Sequence, residues 1–122
     1  MKIRKKPEPP VPPKFPPLPK NAPESFILRA CLDYLRLHGH FVFRVNNGAF
    51  ETKRGGFVRC TDISGVADII GVTKYGLALA VECKSDKGKQ TAMQKAFETN
   101  WTNCGGLYVL ARSIGDLQEA GL

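Results

Sequence analysis

With 122 residues the chain has room for one domain around one core, and its net charge of +7 is unevenly spread. All nine prolines fall at or before Pro23, and residues 1–22 hold six Lys or Arg against one Glu, so this segment carries +5 and leaves +2 for residues 23–122. No apolar run approaches the ~20 residues that span a bilayer, so no membrane partner is expected. Cysteines at 31, 60, 83 and 104 lack metal-type pairing, and the basic start meets prolines rather than an apolar stretch. Reduced thiols in a cytoplasmic protein are the expectation.

Residues 1–22 read as an extended, polyproline-like tail, because proline removes the donors that helices and sheets need. Its Lys2, Arg4, Lys5 and Lys6 favour polyanions in a salt-sensitive way that carries no sequence information. Proline-x-x-proline spacing beside lysines also fits a ligand for a proline-binding domain, although a plain spacer or basic arm needs nothing more than this composition. Residues 23–122 form the folded domain. A helix is expected from Asn21 to His38, with Phe26, Ile27, Ala30, Cys31, Tyr34 and Leu35 at helical spacing and Gly39 closing it. Asn21 followed by Glu24 fits a capping box, with Pro23 in the first turn.

His40 to Asn46 alternates as a strand, Phe41, Phe43 and Val45 facing one way, Val42 and Arg44 the other. His38 and His40 read as polar residues at a helix-to-strand joint, since no third ligand falls at zinc-like spacing. Asn46-Asn47-Gly48 signals a turn. Beyond it come Phe50, Lys53, Arg54 and Gly55-Gly56, then a returning strand, Gly56 to Thr61, with Arg59. Cations and an aromatic on a glycine-hinged loop suit a grip on a nucleic-acid backbone, with Arg44 beside them; the plain reading is a solvated hairpin tip.

The most informative stretch follows. Leu77 to Val81 is an unbroken apolar run, yet it leads into Glu82, Cys83 and Lys84, and the strand before it, Ala67 to Val72, carries Asp68. If Lys74, Tyr75 and Gly76 form a three-residue loop, Thr73 faces Leu77 and Asp68 lies opposite Glu82; a two-residue loop would send Asp68 to the other face. Side-chain alternation then puts Lys84 beside Glu82 and turns Cys83 away. Two carboxylates that close repel unless a proton or a cation lies between them, and a hard divalent ion suits the geometry. Thr91 caps a helix running to about Asn103, with Ala92, Ala96, Phe97 and Trp101 on its buried side. Gly105 to Ala111 reads as a buried strand, and Ser113 with Asp116 caps a short last helix. The order of elements gives a mixed sheet with helices packed on it.

Asp68, thirteen residues and then Glu82-Cys83-Lys84 resemble the PD-(D/E)xK nuclease motif, with Ala67 in place of the motif's proline. Ser64-Gly65-Val66-Ala67-Asp68-Ile69-Ile70, the Glu-Cys-Lys triplet, Thr91-Ala92-Met93-Gln94 and Gly105-Gly106-Leu107-Tyr108-Val109 are similar to the VRR-NUC branch of that superfamily, from about Glu24 to the C-terminus. The resemblance implies an α/β, restriction-endonuclease-like mixed sheet flanked by helices. It also implies a Mg2+- or Mn2+-dependent endonuclease without a small-molecule cofactor, acting on branched or duplex DNA as a homodimer, a four-way-junction resolvase among the options. Asp68, Glu82 and the Cys83 main-chain carbonyl would hold the metal. Lys84 would complete the catalytic set, Glu24 matches a first-helix glutamate that adds to the metal site, and Gly65 and Gln94 support it. Gln94 fits better than Gln90, because Thr91 takes the cap position three residues earlier. For Lys84 to deprotonate a water it would have to shed its own proton beside two carboxylates that favour its charged form, so positioning and charge stabilisation are expected of it. Two other readings are a nucleic-acid-binding module of the same fold that does not cut, and a structural hairpin in which Lys84 merely pairs with the carboxylates.

Overall fold

The computed structural model describes residues 17–45, 49–59 and 61–122, with residues 49, 50 and 57–59 described through their backbone alone. The expectations for Lys2, Arg4, Lys5, Lys6, the polyproline arm and the Asn46-Asn47-Gly48 turn lie outside these residues. The elements run α1 (Glu24–Leu37), β1 (Phe41–Arg44), β2 (Ala49–Glu51), β3 (Phe57–Arg59), β4 (Ile69–Val72), β5 (Ala78–Cys83), α2 (Ala92–Asn103), β6 (Leu107–Ala111) and α3 (Ile114–Glu119). Four strands make one mixed sheet in the order β1-β4-β5-β6, with β5 and β6 parallel and the other pairs antiparallel. The parallel pair needs a crossover, and α2 supplies it. The β2 and β3 strands form a separate two-stranded ribbon. The sequence anticipates only its returning half.

The two sheet faces are unlike. Val42, Ile69, Leu79, Val81, Cys83, Val109 and Ala111 turn to one side and bury themselves against Ile27, Leu28, Cys31, Leu32, Tyr34 and Leu35 of α1 and Leu117 of α3. Each Leu or Ile enclosed there contributes roughly 1.5–3 kcal/mol relative to exposure. The stripe on α1 is rotated from the expected one: Leu28 and Leu32 are buried, while Phe26 is half exposed. The opposite face is only partly covered. α2 lies over its β5–β6 end, the Phe97 ring 5.5 Å from Trp101 and 6.3 Å from Tyr108, and Trp101 Nε1 donates to the Leu107 carbonyl at 3.1 Å. No residue of α2 is fully buried, and Ala92 and Ala96 are exposed rather than packed. Toward β1 the same face leaves Phe41, Phe43 and Val72 in solvent.

The start of α1 departs from the expected capping box. Pro23 occupies the N-cap position without a side-chain bond, its carbonyl accepting from Phe26 and Ile27. Asn21 sits at φ 57 in the preceding turn, so its side chain is too early in the chain to cap. The domain also begins before residue 23, because Ala22 is buried in the core and Leu18 packs against it. His40 is more than a joint residue: it is buried, and its Nδ1 accepts from the Lys74 N–H at 3.0 Å, tying β1 to the β4–β5 turn. Burial, then the positive charge of Lys74, then His38 hold its pKa below the ordinary histidine value, in keeping with an acceptor that must stay unprotonated.

Candidate metal centre on the central hairpin

The β4–β5 turn sets the site. Thr73 N–H donates to the Leu77 carbonyl at 2.8 Å and Gly76 N–H to the Thr73 carbonyl at 2.9 Å, which closes a loop of Lys74, Tyr75 and Gly76. Gly76 takes φ 84, the left-handed conformation that a residue without a β-carbon adopts freely. From there the register runs Val72 against Ala78 to Ile69 against Val81, so the next pair is Asp68 against Glu82. Both carboxylates therefore stand on the face that α2 partly covers, and Lys84 joins them by alternation.

Glu82 is 2% exposed. Its Oε1 accepts from Gln94 Nε2 at 3.0 Å and lies 3.6 Å from Lys84 Nζ, whose side chain is 10% exposed. Its Oε2 is buried with no hydrogen-bond partner among the described residues. Burial first, and the Asp68 carboxyl second, through its charge and through a hydrogen bond that the protonated acid can make to it, push the Glu82 carboxyl up to about 8, with Lys84 pulling the other way. A buried acceptor without a donor is expensive, of order 1–3 kcal/mol and more when charged. With both carboxyls ionised, one lysine leaves negative charge uncompensated, and a proton on Glu82, which its raised pKa favours, or a bound cation would offset it.

Asp68 accepts the Cys83 N–H through Oδ2 at 2.8 Å. Along a strand a residue's N–H and C=O point the same way, so the Cys83 carbonyl also faces the Asp68 side. The Cys83 thiol turns into the α1 core, where hydrogen bonding to Cys31 and burial drive its pKa far upward; the thiol is inert and only the main chain of this residue is offered to the site. Two carboxylates and a carbonyl, one carboxylate oxygen orphaned, are hard oxygen donors that fit Mg2+ or Mn2+. Among the described residues no group of three His, Cys, Asp or Glu side chains that could hold a metal ion is found. The Glu24 carboxylate stands at the loop after Lys84, with Oε1 3.0 Å from where a β-carbon on Gly88 would lie and the Lys84 stem 3.4 Å from the same point.

Gln94 is held twice. Its Oε1 accepts the Thr91 N–H at 2.9 Å while its own N–H donates to Thr91 Oγ1 at 3.2 Å, and this capping box aims the remaining amide donors at Glu82. Gln90 goes elsewhere, its Nε2 bonding Glu98 Oε2 at 2.9 Å and the Tyr108 hydroxyl at 3.1 Å. Burial raises the Tyr108 pKa above its ordinary value. Gly65 makes the approach of α2 feasible: at φ +77, a β-carbon on it would stand 2.3 Å from the Met93 carbonyl carbon. Glu98, which accepts from Gln90, and Arg112 form contacts around the site that the sequence reading did not single out.

The candidate nucleic-acid contacts scatter. Lys53 and Arg54 are exposed in the connection of the β2–β3 ribbon. Arg44 is exposed too, but it opposes Ile69 and so points to the α1 face, away from the carboxylates. The Arg59 side chain lies outside the described residues, and only its place opposite Ala49 is given. A groove of about 260 Å³ lined by Pro17, Leu18, Phe26, Arg29, Ala30, Asp33 and Ile114 contains none of the site residues. No helix among the described residues is long and apolar enough to cross a membrane. No family model, curated protein or solved structure matches the chain.

Proposed function

We propose that the protein is a metal-dependent nuclease of the PD-(D/E)xK type, close to the VRR-NUC branch, hydrolysing DNA phosphodiester bonds at the Asp68–Glu82–Lys84 site. The observation that carries this reading is the pairing of two carboxylates across β4 and β5, beside a single ammonium, with Glu82 Oε2 buried and without a hydrogen-bond partner among the described residues. Asp68, Glu82 and the Cys83 carbonyl would hold Mg2+ or Mn2+. When bound, such an ion supplies Lewis-acid polarisation of the phosphate and eases the generation of an attacking water at neutral pH. Lys84 stabilises charge building on the phosphoryl oxygens. Gln94 fixes the orientation of Glu82. Lys53, Arg54, Arg59 and the basic residues of the N-terminal segment would hold the strand by its phosphates.

Branched DNA is the substrate favoured by the family resemblance, and a homodimer would place two such sites about a two-fold axis to match a four-way junction. The apolar strip of Phe41, Phe43 and Val72 supports a self-associating face. Buried free thiols at Cys31 and Cys83 fit a reducing compartment such as the cytoplasm. The test is incubation with labelled linear, flapped and four-way DNA in Mg2+ or in chelator. Cleavage that needs Mg2+ and disappears in Asp68→Ala and Glu82→Ala, with DNA binding retained, is the expected result. Binding without cleavage in the native protein would select the non-cutting module instead, and Mg2+-dependent cutting by either variant would overturn the metal assignment.

A further inference from the structure

The segment that follows Lys84 is built to lie on it. Lys84 N–H donates to the Ala111 carbonyl at 3.0 Å, which ends the β5–β6 pairing, and the chain then turns back through Ser85, Asp86, Lys87 and Gly88, closed by the Gly88 N–H on the Ser85 carbonyl at 3.0 Å. Gly88 packs beside the lysine stem: a β-carbon on it would stand 3.4 Å from Lys84 Cδ, 3.2 Å from Ser85 Oγ and 3.0 Å from Glu24 Oε1. Across the parallel pair, Arg112 follows the last residue of β6. Its guanidinium Nη1 donates to the Ser85 carbonyl and, at 3.4 Å, to the Asp86 carbonyl. The backbone of Arg112 is itself fixed, because Asp116 Oδ2 accepts its N–H at 2.8 Å and that of Ser113 at 3.2 Å. Among the described residues Arg112 makes no ion pair with a carboxylate, so its charge goes, through Nη1, to main-chain oxygens of a turn that otherwise has one internal bond.

We propose that Arg112 is the positioning residue for Lys84: by clamping the Ser85 and Asp86 carbonyls it keeps the turn closed over the lysine stem and the ammonium beside Glu82. The clamp itself follows from the geometry, whereas its effect on turnover rests on the nuclease reading. A long, four-carbon side chain left uncovered samples many rotamers, and restricting them is how a supporting contact makes a point charge effective. Both bonds leave one nitrogen, Nη1, so Arg112→Lys, whose single ammonium can reach the same carbonyls, is a partial substitute and the shorter, uncharged Arg112→Gln a poor one.

The experiment measures acetylation of individual lysines by mass spectrometry on the full chain without metal, and cleavage on the same preparations. In the native protein Lys84 is expected to label far more slowly than the exposed Lys53 and Lys95. Arg112→Gln is expected to raise Lys84 labelling at least tenfold with Lys53 and Lys95 unchanged, and Arg112→Lys to fall between. Where the native protein cuts DNA, kcat is expected to fall by tenfold or more in Arg112→Gln with KM little changed and partial recovery in Arg112→Lys. Unchanged Lys84 labelling in a folded Arg112→Gln variant overturns the proposal, as does loss of the whole fold in both variants, which would make Arg112 a general structural residue. If the native protein does not cut, the nuclease reading fails while the labelling still decides the clamp.

Discussion

Glu82 concentrates the physical tension of this protein in one side chain. A carboxyl raised to about 8 by burial and by Asp68, from an ordinary value of 4.5, binds a proton more tightly folded than unfolded. Stability from that protonated form is full below pH 4.5 and drains away as pH rises through 8. The metal-free protein is therefore expected to lose several degrees of melting temperature between pH 5 and pH 9, at roughly 4 °C or more per kcal/mol. Glu82→Gln, which cannot ionise and keeps an acceptor for Gln94, is expected to flatten that slope, and Mg2+ to raise the native melting temperature more at pH 8.5 than at pH 5.5. Thermal scans on both proteins check this; parallel slopes would show that the charge on Glu82 is already compensated by Lys84.

At the scale of elements, the meeting of α2 with the loop before β4 is the joint most sensitive to a single atom. Gly65→Ala adds a β-carbon to a residue at φ +77 and drives it into the Met93 and Gln94 backbone. A destabilisation of about 1–3 kcal/mol is expected, with cleavage lost disproportionately because Gln94 is pushed off Glu82; denaturant unfolding and the cleavage assay read the two effects separately. The sequence was most legible where local rules act alone. The three-residue loop with Gly76 fixes the register, and the register fixes the carboxylate pair; Thr91 and Gln94 are three apart and cap as such residues do. It was least legible where tertiary packing chooses between equals. Alternation in β1 separates Phe41 and Phe43 from Val42 without saying which side is the core, and the smaller Val42 is the one that α1 covers. Asn21 looked like a cap until Pro23, nearer the helix, occupied that position. Arg112 left no trace in the sequence, since its partners are carbonyls of a turn 26 and 27 residues away, brought near by the parallel pairing of β5 and β6.

For the whole molecule, charge and fold divide the labour. The N-terminal segment supplies most of the net positive charge, and the domain supplies the paired carboxylates. Because Leu18 packs on the core, the clean truncation removes residues 1–16, which takes away five Lys or Arg and leaves the packing. That variant is expected to bind DNA more weakly and to show a salt dependence shallower by up to about 0.9 per lost phosphate contact, with cleavage per bound complex preserved. Binding titrations across a range of salt concentrations check the slope, and an unaltered slope would remove the segment from DNA binding.

The helix α2 buries none of its residues fully, yet it closes one side of the site through ring contacts and one amide on Glu82. An amide grips an anion harder than a neutral acid. A change of charge on that one carboxylate is therefore expected to alter how firmly the twelve-residue helix is held, and amide-proton exchange along it becomes a gauge of what the carboxylates beside it have bound.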